Sequence, residues 1–103
     1  MLDPTRPTDH PGASALADLL LTMARAMVDD TAAVCVESTC GERTVILTLI
    51  PGPDDFGKVI GKGGNNANAM RTILGAAAGA LGLRVNLEIP TPERVRRPAV
   101  GLV

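Results

Sequence analysis

Three glycines in four residues, Gly61-Lys62-Gly63-Gly64, stand between two stretches that otherwise read as helix. Lacking a Cβ, glycine enters backbone conformations closed to other residues and lets a ligand's backbone approach closely. The chain is therefore expected to break its helix at 61–64. A loop at the start of a helix offers unpaired N–H groups and the positive end of the dipole, both of which attract phosphate. Lys62 adds a mobile cation at the tip, and a lysine between glycines at a helix start has little structural purpose. Such a site suits a sugar-phosphate backbone.

Two other phosphate-binding loops are excluded. A nucleotide phosphate loop needs Ser or Thr after its Gly-Lys, and here Gly63 and Gly64 follow Lys62. The dinucleotide fingerprint fails because Asn66 stands where its third glycine belongs, and no parallel strand precedes the loop.

The surrounding pattern sets the order of elements. Residues 1–12, with Pro4, Pro7, Pro11 and Gly12, read as a flexible leader. From Ala13, the spacing of Leu16, Leu19, Leu20, Met23 and Met27 predicts a helix with one apolar face. Ser14 is expected to cap it, Asp18 to lie near the positive end of its dipole, and Asp29 and Asp30 to favour its end. Strands are expected at 33–38 and 43–50, joined by a turn at Cys40-Gly41-Glu42. The second is apolar on both faces and should be central in its sheet. Asp54 or Asp55 is expected to cap a short helix over Phe56 to Ile60.

After the loop, a long helix should run from Asn65 to about Leu81, with Met70, Ile73, Leu74, Ala77 and Leu81 on its apolar face and Gly82 ending it. Residues 84–89 alternate as a half-buried strand. A helical crossover makes that strand parallel to 43–50 and right-handed in connection. The expectation is an α+β fold of order α-β-β-α-α-β: a three-stranded mixed sheet with helices on one face.

Charge is segregated along the 103 residues. Residues 1–55 carry three Arg/Lys against nine Asp/Glu, a balance of −6, and residues 56–103 carry seven against two, a balance of +5, within a net charge of −1. A polyanion meeting the second half would find a basic surface. No apolar run reaches the length of a membrane span, and no apolar signal core opens the chain, so a cytoplasmic protein with no membrane partner is expected. Cys35 and Cys40 are too few for a disulfide scaffold and are expected to be free thiols. With His10 in the leader, neither a metal site nor a nucleophile–base pair can be assembled, so no cofactor and no enzyme activity are expected.

Lys58-Val59-Ile60-Gly61-Lys62-Gly63-Gly64, flanked by helices, resembles the K-homology (KH) signature, and the helix-strand-strand start matches the type II arrangement. In length and order the unit is similar to the small bacterial single-KH family called KhpA. The Pro53-Asp54-Asp55-Phe56-Gly57-Lys58 approach, Ala69-Met70-Arg71-Thr72-Ile73 and Arg84-Val85-Asn86-Leu87-Glu88-Ile89 extend the likeness. The resemblance covers roughly residues 14–90 and implies a KH domain over 13–90 followed by a mobile basic tail, 91–103, with Arg94, Arg96 and Arg97.

KH loops clamp about four nucleotides of single-stranded nucleic acid. The resemblance implies single-stranded RNA binding with little sequence preference, a homodimer or a pairing with a larger KH-containing protein, and a link to cell elongation and division. The RNA contacts would come from Lys58, Val59, Ile60, Gly61, Lys62, Gly63, Gly64, Asn65, Asn68, Arg71 and Arg84. The chain departs from the family where it carries Asn65, Asn68 and Gly75 in place of basic residues; either the basic tail compensates or affinity is low. With no Trp or Tyr and only Phe56, aromatic stacking platforms are excluded, and bases would lie on an aliphatic floor of Val59, Ile60 and Val85.

Thr72, Gly75, Ala76 and Gly79 follow helical spacing as a stripe of small residues, either a dimer surface or tolerated neutral positions. An adaptor module with little RNA binding of its own and a ribosome-assembly factor stand as alternatives.

Overall fold

Helix α1 (Pro11–Met27) opens on a proline, whose fixed φ suits a first helical turn and whose missing N–H would have no partner there. The structure, a computed structural model, describes residues 11–90. The expected leader up to residue 10 and the expected basic tail lie outside the described residues. Because α1 starts before Ala13, Ser14 lies inside the helix and does not cap it, and Asp18 sits well past the first turn, away from the dipole's positive end. Ala13, Leu16, Leu20 and Ala24 form the buried stripe, while Leu19, Met23 and Met27 pack half-buried along its margin. The two alanines, silent in a pattern read from large side chains, let the helix lie close against its neighbours.

Strand β1 (Cys35–Cys40) begins two residues later than expected, because Thr31–Ala33 closes into a 3-10 turn instead. It pairs antiparallel with β2 (Thr44–Ile50), from Cys35 opposite Ile50 to Cys40 opposite Val45. The hairpin is closed by the Gly41 N–H on the Thr44 carbonyl at 2.8 Å. A short helix α2 (Phe56–Ile60), the glycine loop, a long helix α3 (Asn65–Ala80) and strand β3 (Arg84–Glu88) follow. Strand β3 pairs parallel with β2, Thr44 opposite Arg84 and Thr48 opposite Glu88, giving the order β1-β2-β3. The strand apolar on both faces is thus the central one. Val45, Leu47 and Leu49 are buried on one face, and Ile46, Thr48 and Ile50 are half-buried on the other.

Helix α3 lays Ala67, Met70, Leu74 and Ala78 into the core. Ile73 and Leu81, expected on that face, are each 47% exposed. The buried row runs i, i+3, i+7, i+11, so Ile73 falls on its flank, and Leu81 lies beyond the last helical turn. The end of α3 follows the Schellman pattern: the Leu83 N–H bonds the Ala78 carbonyl at 2.8 Å, the Gly82 N–H bonds Gly79 at 3.1 Å, and Gly82 takes φ +73°. Leu83 is buried beside Ala78, which supplies the apolar contact that accompanies this cap.

The centre of the core and its margin should respond differently to truncation. Leu47→Ala, at a fully buried position on the central strand, is expected to cost about 2–5 kcal/mol in urea unfolding. Leu81→Ala should stay within about 0.5 kcal/mol of the parent. Equal losses would misplace the core.

Candidate nucleic-acid interface

The approach to the loop is pinned by a buried carboxylate. Asp55 is 3% exposed and stands at the N-cap of α2, yet it caps nothing in its own helix. Its Oδ2 accepts the Asp30 N–H at 3.1 Å, and its Oδ1 accepts from Lys58 Nζ at 3.3 Å. Lys58 also pairs with Asp29. The expected cap therefore holds the α1–β1 connection instead, stapling it to the start of α2. The Asp30 N–H, followed by the Lys58 bond and charge, holds the Asp55 carboxyl below its usual 3.8 against the opposing effect of burial. Hydrogen bonds to Asp29 and Asp55 push the Lys58 ammonium above its usual 10.5. Lys58, expected at a phosphate, is committed to two carboxylates.

The loop turns on three left-handed glycines: Gly61 at φ +77°, Gly63 at +63° and Gly64 at +80°. The Gly61 N–H closes α2 on the Gly57 carbonyl at 2.8 Å, and Gly64 N–H on Gly61 closes the 3-10 turn of Lys62–Gly64 at 3.1 Å. Asn66 sets the curvature. Its Nδ2 donates to the Lys58 carbonyl at 2.7 Å, tying the end of α2 to the first turn of α3. A Cβ on Gly61 would lie 2.7 Å from Asn66 Cγ and 2.8 Å from Asn66 N, so this glycine is required by close approach as well as by φ. At Gly63 a Cβ would meet nothing within 4 Å. Lys62 and Gly63 are exposed at the tip, and the turn's own bonds leave their N–H groups outside it.

Past the loop, exposed Asn65, Asn68 and Arg71 line up on α3. Arg71 Nη1 donates to Asn68 Oδ1 at 3.1 Å, and Nη2 reaches the Leu87 carbonyl at 3.5 Å. The guanidinium thus spans from α3 to β3 and keeps further donors outward. Beneath it runs a groove of about 310 Å³ lined by Arg71, Leu74, Val85, Asn86, Leu87 and Glu88. Its outer wall is the edge of β3 that no described strand covers.

Val85 and Ile60 are half-buried, as an aliphatic floor requires, whereas Val59 is fully buried and belongs to the core. Arg84 is exposed at the far end of β3. Sequence reasoning missed Asn66, one of two successive asparagines that only the fold tells apart. It also missed the groove role of Leu74, read only as part of the helix's apolar face, and of Leu87 and Glu88, whose alternation marks a strand but not a groove.

Thr72, Gly75, Ala76 and Gly79 are all exposed on the side of α3 away from the core, and a Cβ at either glycine would meet nothing within 4 Å. Cys35 and Cys40 are free, at opposite ends of β1. Among the described residues no group of acids, histidines and cysteines could hold a metal ion, and no helix is long and apolar enough to cross a membrane.

Residues 17–89 match the family model described as KhpA/KhpB, KH domain. The chain belongs to this family. Curated KhpA relatives cover most of it. An RNA-binding protein KhpA of Aquifex aeolicus is 46% identical over 76 residues, 74% of this chain and 96% of that one. One of Clostridium acetobutylicum is 45% identical over 74 residues, 72% and 99% of the two chains. One of Streptomyces coelicolor is 40% identical over 72 residues, 70% and 90%. No solved structure gives a significant match. The α+β fold with its mixed sheet is that of a type II KH domain, and membership in the KhpA/KhpB family places the chain among binding domains, not enzymes.

The Asp55 staple has an acid signature. Because its folded pKa lies below the unfolded value, its contribution to stability is complete above about pH 4 and is lost as pH falls through the folded pKa. Asp55→Asn is expected to lower the thermal midpoint at pH 7 and to flatten its decline as the pH falls below about 4. An unchanged acid limb in the variant would remove Asp55 from this role.

Proposed function

We propose that this chain is a cytoplasmic RNA-binding protein that clamps single-stranded RNA between its glycine loop and the α3–β3 groove, within a domain spanning 13–90. The observation that carries this reading is the loop tip. Exposed Lys62 and Gly63 stand at the start of α3, the helix whose Arg71 and Leu74 line a groove against the β3 edge that no described strand covers. The relatives' own name, RNA-binding protein KhpA, supports it. Phosphates would meet Lys62 and Arg71, and bases would rest on Ile60 and Val85. Phe56, the chain's one aromatic residue, is only 6% exposed. Without stacking, binding is weak and shallow in sequence preference. A role in post-transcriptional control tied to cell elongation and division is part of the same proposal.

The test is RNA affinity of Lys62→Asp combined with Gly63→Asp. Both positions are exposed, and aspartate is among the few residues that adopt the left-handed conformation of Gly63, so the double variant should fold, while two carboxylates oppose the phosphate path and binding should collapse. For the parent, two phosphate contacts imply a slope of log K against log salt of about −1.4, at roughly −0.7 each. Parent-level binding by the folded double variant would refute the clamp.

The small-residue stripe on α3 supports self-association or pairing with a larger KH-containing protein. Exposed Gly75, within the helix, costs about 1 kcal/mol relative to alanine, a cost that close approach of another helix would offset. In sedimentation equilibrium the parent should dimerise, and Gly75→Glu with Gly79→Arg should leave monomers. A dimer that survives the pair of substitutions would place the interface elsewhere.

A further inference from the structure

We propose a second phosphate site at the opposite pole of the sheet, formed by Arg43 and Arg84, where the RNA strand is gripped after it leaves the groove. This rests on the groove reading above and extends it.

The fold fixes the distance between the poles. Helix α3 runs against β2 and β3, so the loop at its start and the Gly82 turn at its end lie at opposite ends of the sheet. Sixteen helical residues separate them by about 24 Å at ~1.5 Å per residue. Between them three hollows take successive stretches of β3, whose outer edge no described strand covers, and the last lies across its start and the Gly41–Thr44 turn. One hollow touches Thr48, Arg71 and Leu87 to Pro90, the groove takes Val85 to Glu88, and a third, open basin of about 890 Å³ takes over at Leu83 and Arg84. An extended strand that enters at Lys62 and follows this edge reaches the third basin.

The basin is built for an anion. Arg43 and Arg84 both line it and both are exposed. Their backbones are locked together by the Arg84 N–H on the Arg43 carbonyl at 2.7 Å, one step before the register pair Thr44–Arg84. Among the described residues the ion pairs are those of Lys58 with Asp29 and Asp55, so neither guanidinium is neutralised by a described carboxylate. Glu42 lines the basin without pairing to either. A guanidinium presents a planar fork of donors that matches phosphate oxygens, and two on adjacent backbones match a phosphodiester chain better than a single one. Gly41 and Gly82 border the basin, and neither puts a side chain in the way of a ligand's backbone. Continuity with the groove favours the same strand of RNA over a separate acidic partner.

The experiment compares two single-stranded RNAs of one composition, about four nucleotides long, the length of a KH clamp, and about ten, within the usual range of single-strand sites. Fluorescence anisotropy over a salt series gives affinity and slope for the full chain, for Arg43→Gln, and for Lys62→Asp with Gly63→Asp. The parent should bind the longer RNA more tightly, on the order of tenfold for a charge-assisted contact. Arg43→Gln should lose that gain and flatten the long-RNA slope by about 0.7, with short-RNA affinity unchanged. The loop variant should lose both RNAs.

If Arg43→Gln keeps the full length-dependent gain while the loop variant fails, the groove stands and the second site is wrong. If Arg43→Gln loses short and long RNA alike, Arg43 belongs to the primary clamp and the two-site path is overturned. If the parent binds neither RNA, the proposed function itself fails and the second site falls with it.

Discussion

The hydrogen bond from the Asn66 amide to the Lys58 carbonyl decides the shape of the loop and, through it, the placement of everything that follows. Helices α2 and α3 have compatible patterns and would fuse into one rod if the chain allowed it. Three residues at positive φ in a span of four prevent that. A break alone leaves the two helix ends free to swing, each with orphan polar groups. Asn66 removes that freedom by satisfying the last turn of α2 from the first turn of α3. It can do so only because Gly61 presents no Cβ to its side chain. The angle so fixed sends α3 back across the sheet and lets β3 join β2 in parallel.

A five-residue helix has almost no stability of its own, so α2 must be held from outside. Three contacts hold it: Phe56 and Val59 in the buried interior, Asn66 at its end, and Asp55 at its start. The last of these changes the electrostatics of the loop. Lys58 spends its charge on Asp29 and Asp55, so part of the basic balance of the second half is cancelled locally by acids of the first. Charge segregation along a sequence is therefore an incomplete guide to surface potential, because folding brings the two halves into contact.

Much of the fold was legible because it rests on periodicity and on glycine. The order of elements, the central position of β2 and the parallel return of β3 follow from alternating faces and connection length. The loop follows from Gly61, Gly63 and Gly64. The errors have a common cause: they concern residues whose role depends on a neighbour distant in sequence. Ser14 and Asp18 were assigned to a helix start that Pro11 moves upstream. The helical spacing puts Ile73 on the apolar face, but Ala67 and Ala78 complete the buried row and leave Ile73 on its flank. Asp55 looks like a local cap and turns out to bond residue 30. Val59 sits beside the loop in sequence and points into the core. In the candidate site, the exposed loop tip and the place of Arg71 on α3 are legible in the sequence. The groove wall of Leu74, Leu87 and Glu88 is not, since it exists only once α3 lies against β3.

The same geometry bounds the strength of any single clamp. With Phe56 buried as the one aromatic residue and asparagine at positions 65 and 68, the gain per nucleotide in the proposed groove would come from a few cations and an aliphatic floor. Neither supplies much in water, where phosphate contacts are screened. Affinity in such a protein has to be built by joining weak contacts along one strand, because a linked second contact acts at a high effective concentration and needs no new surface of its own. The fold is suited to that. The edge of β3 that no described strand covers runs the length of that strand, and exposed Arg71 and Arg84 stand toward its two ends. On the proposed reading, a domain that gains by length rather than by fit to particular bases would need no sequence preference, and at Gly63, where a Cβ would meet nothing within 4 Å, no side chain would select the ligand.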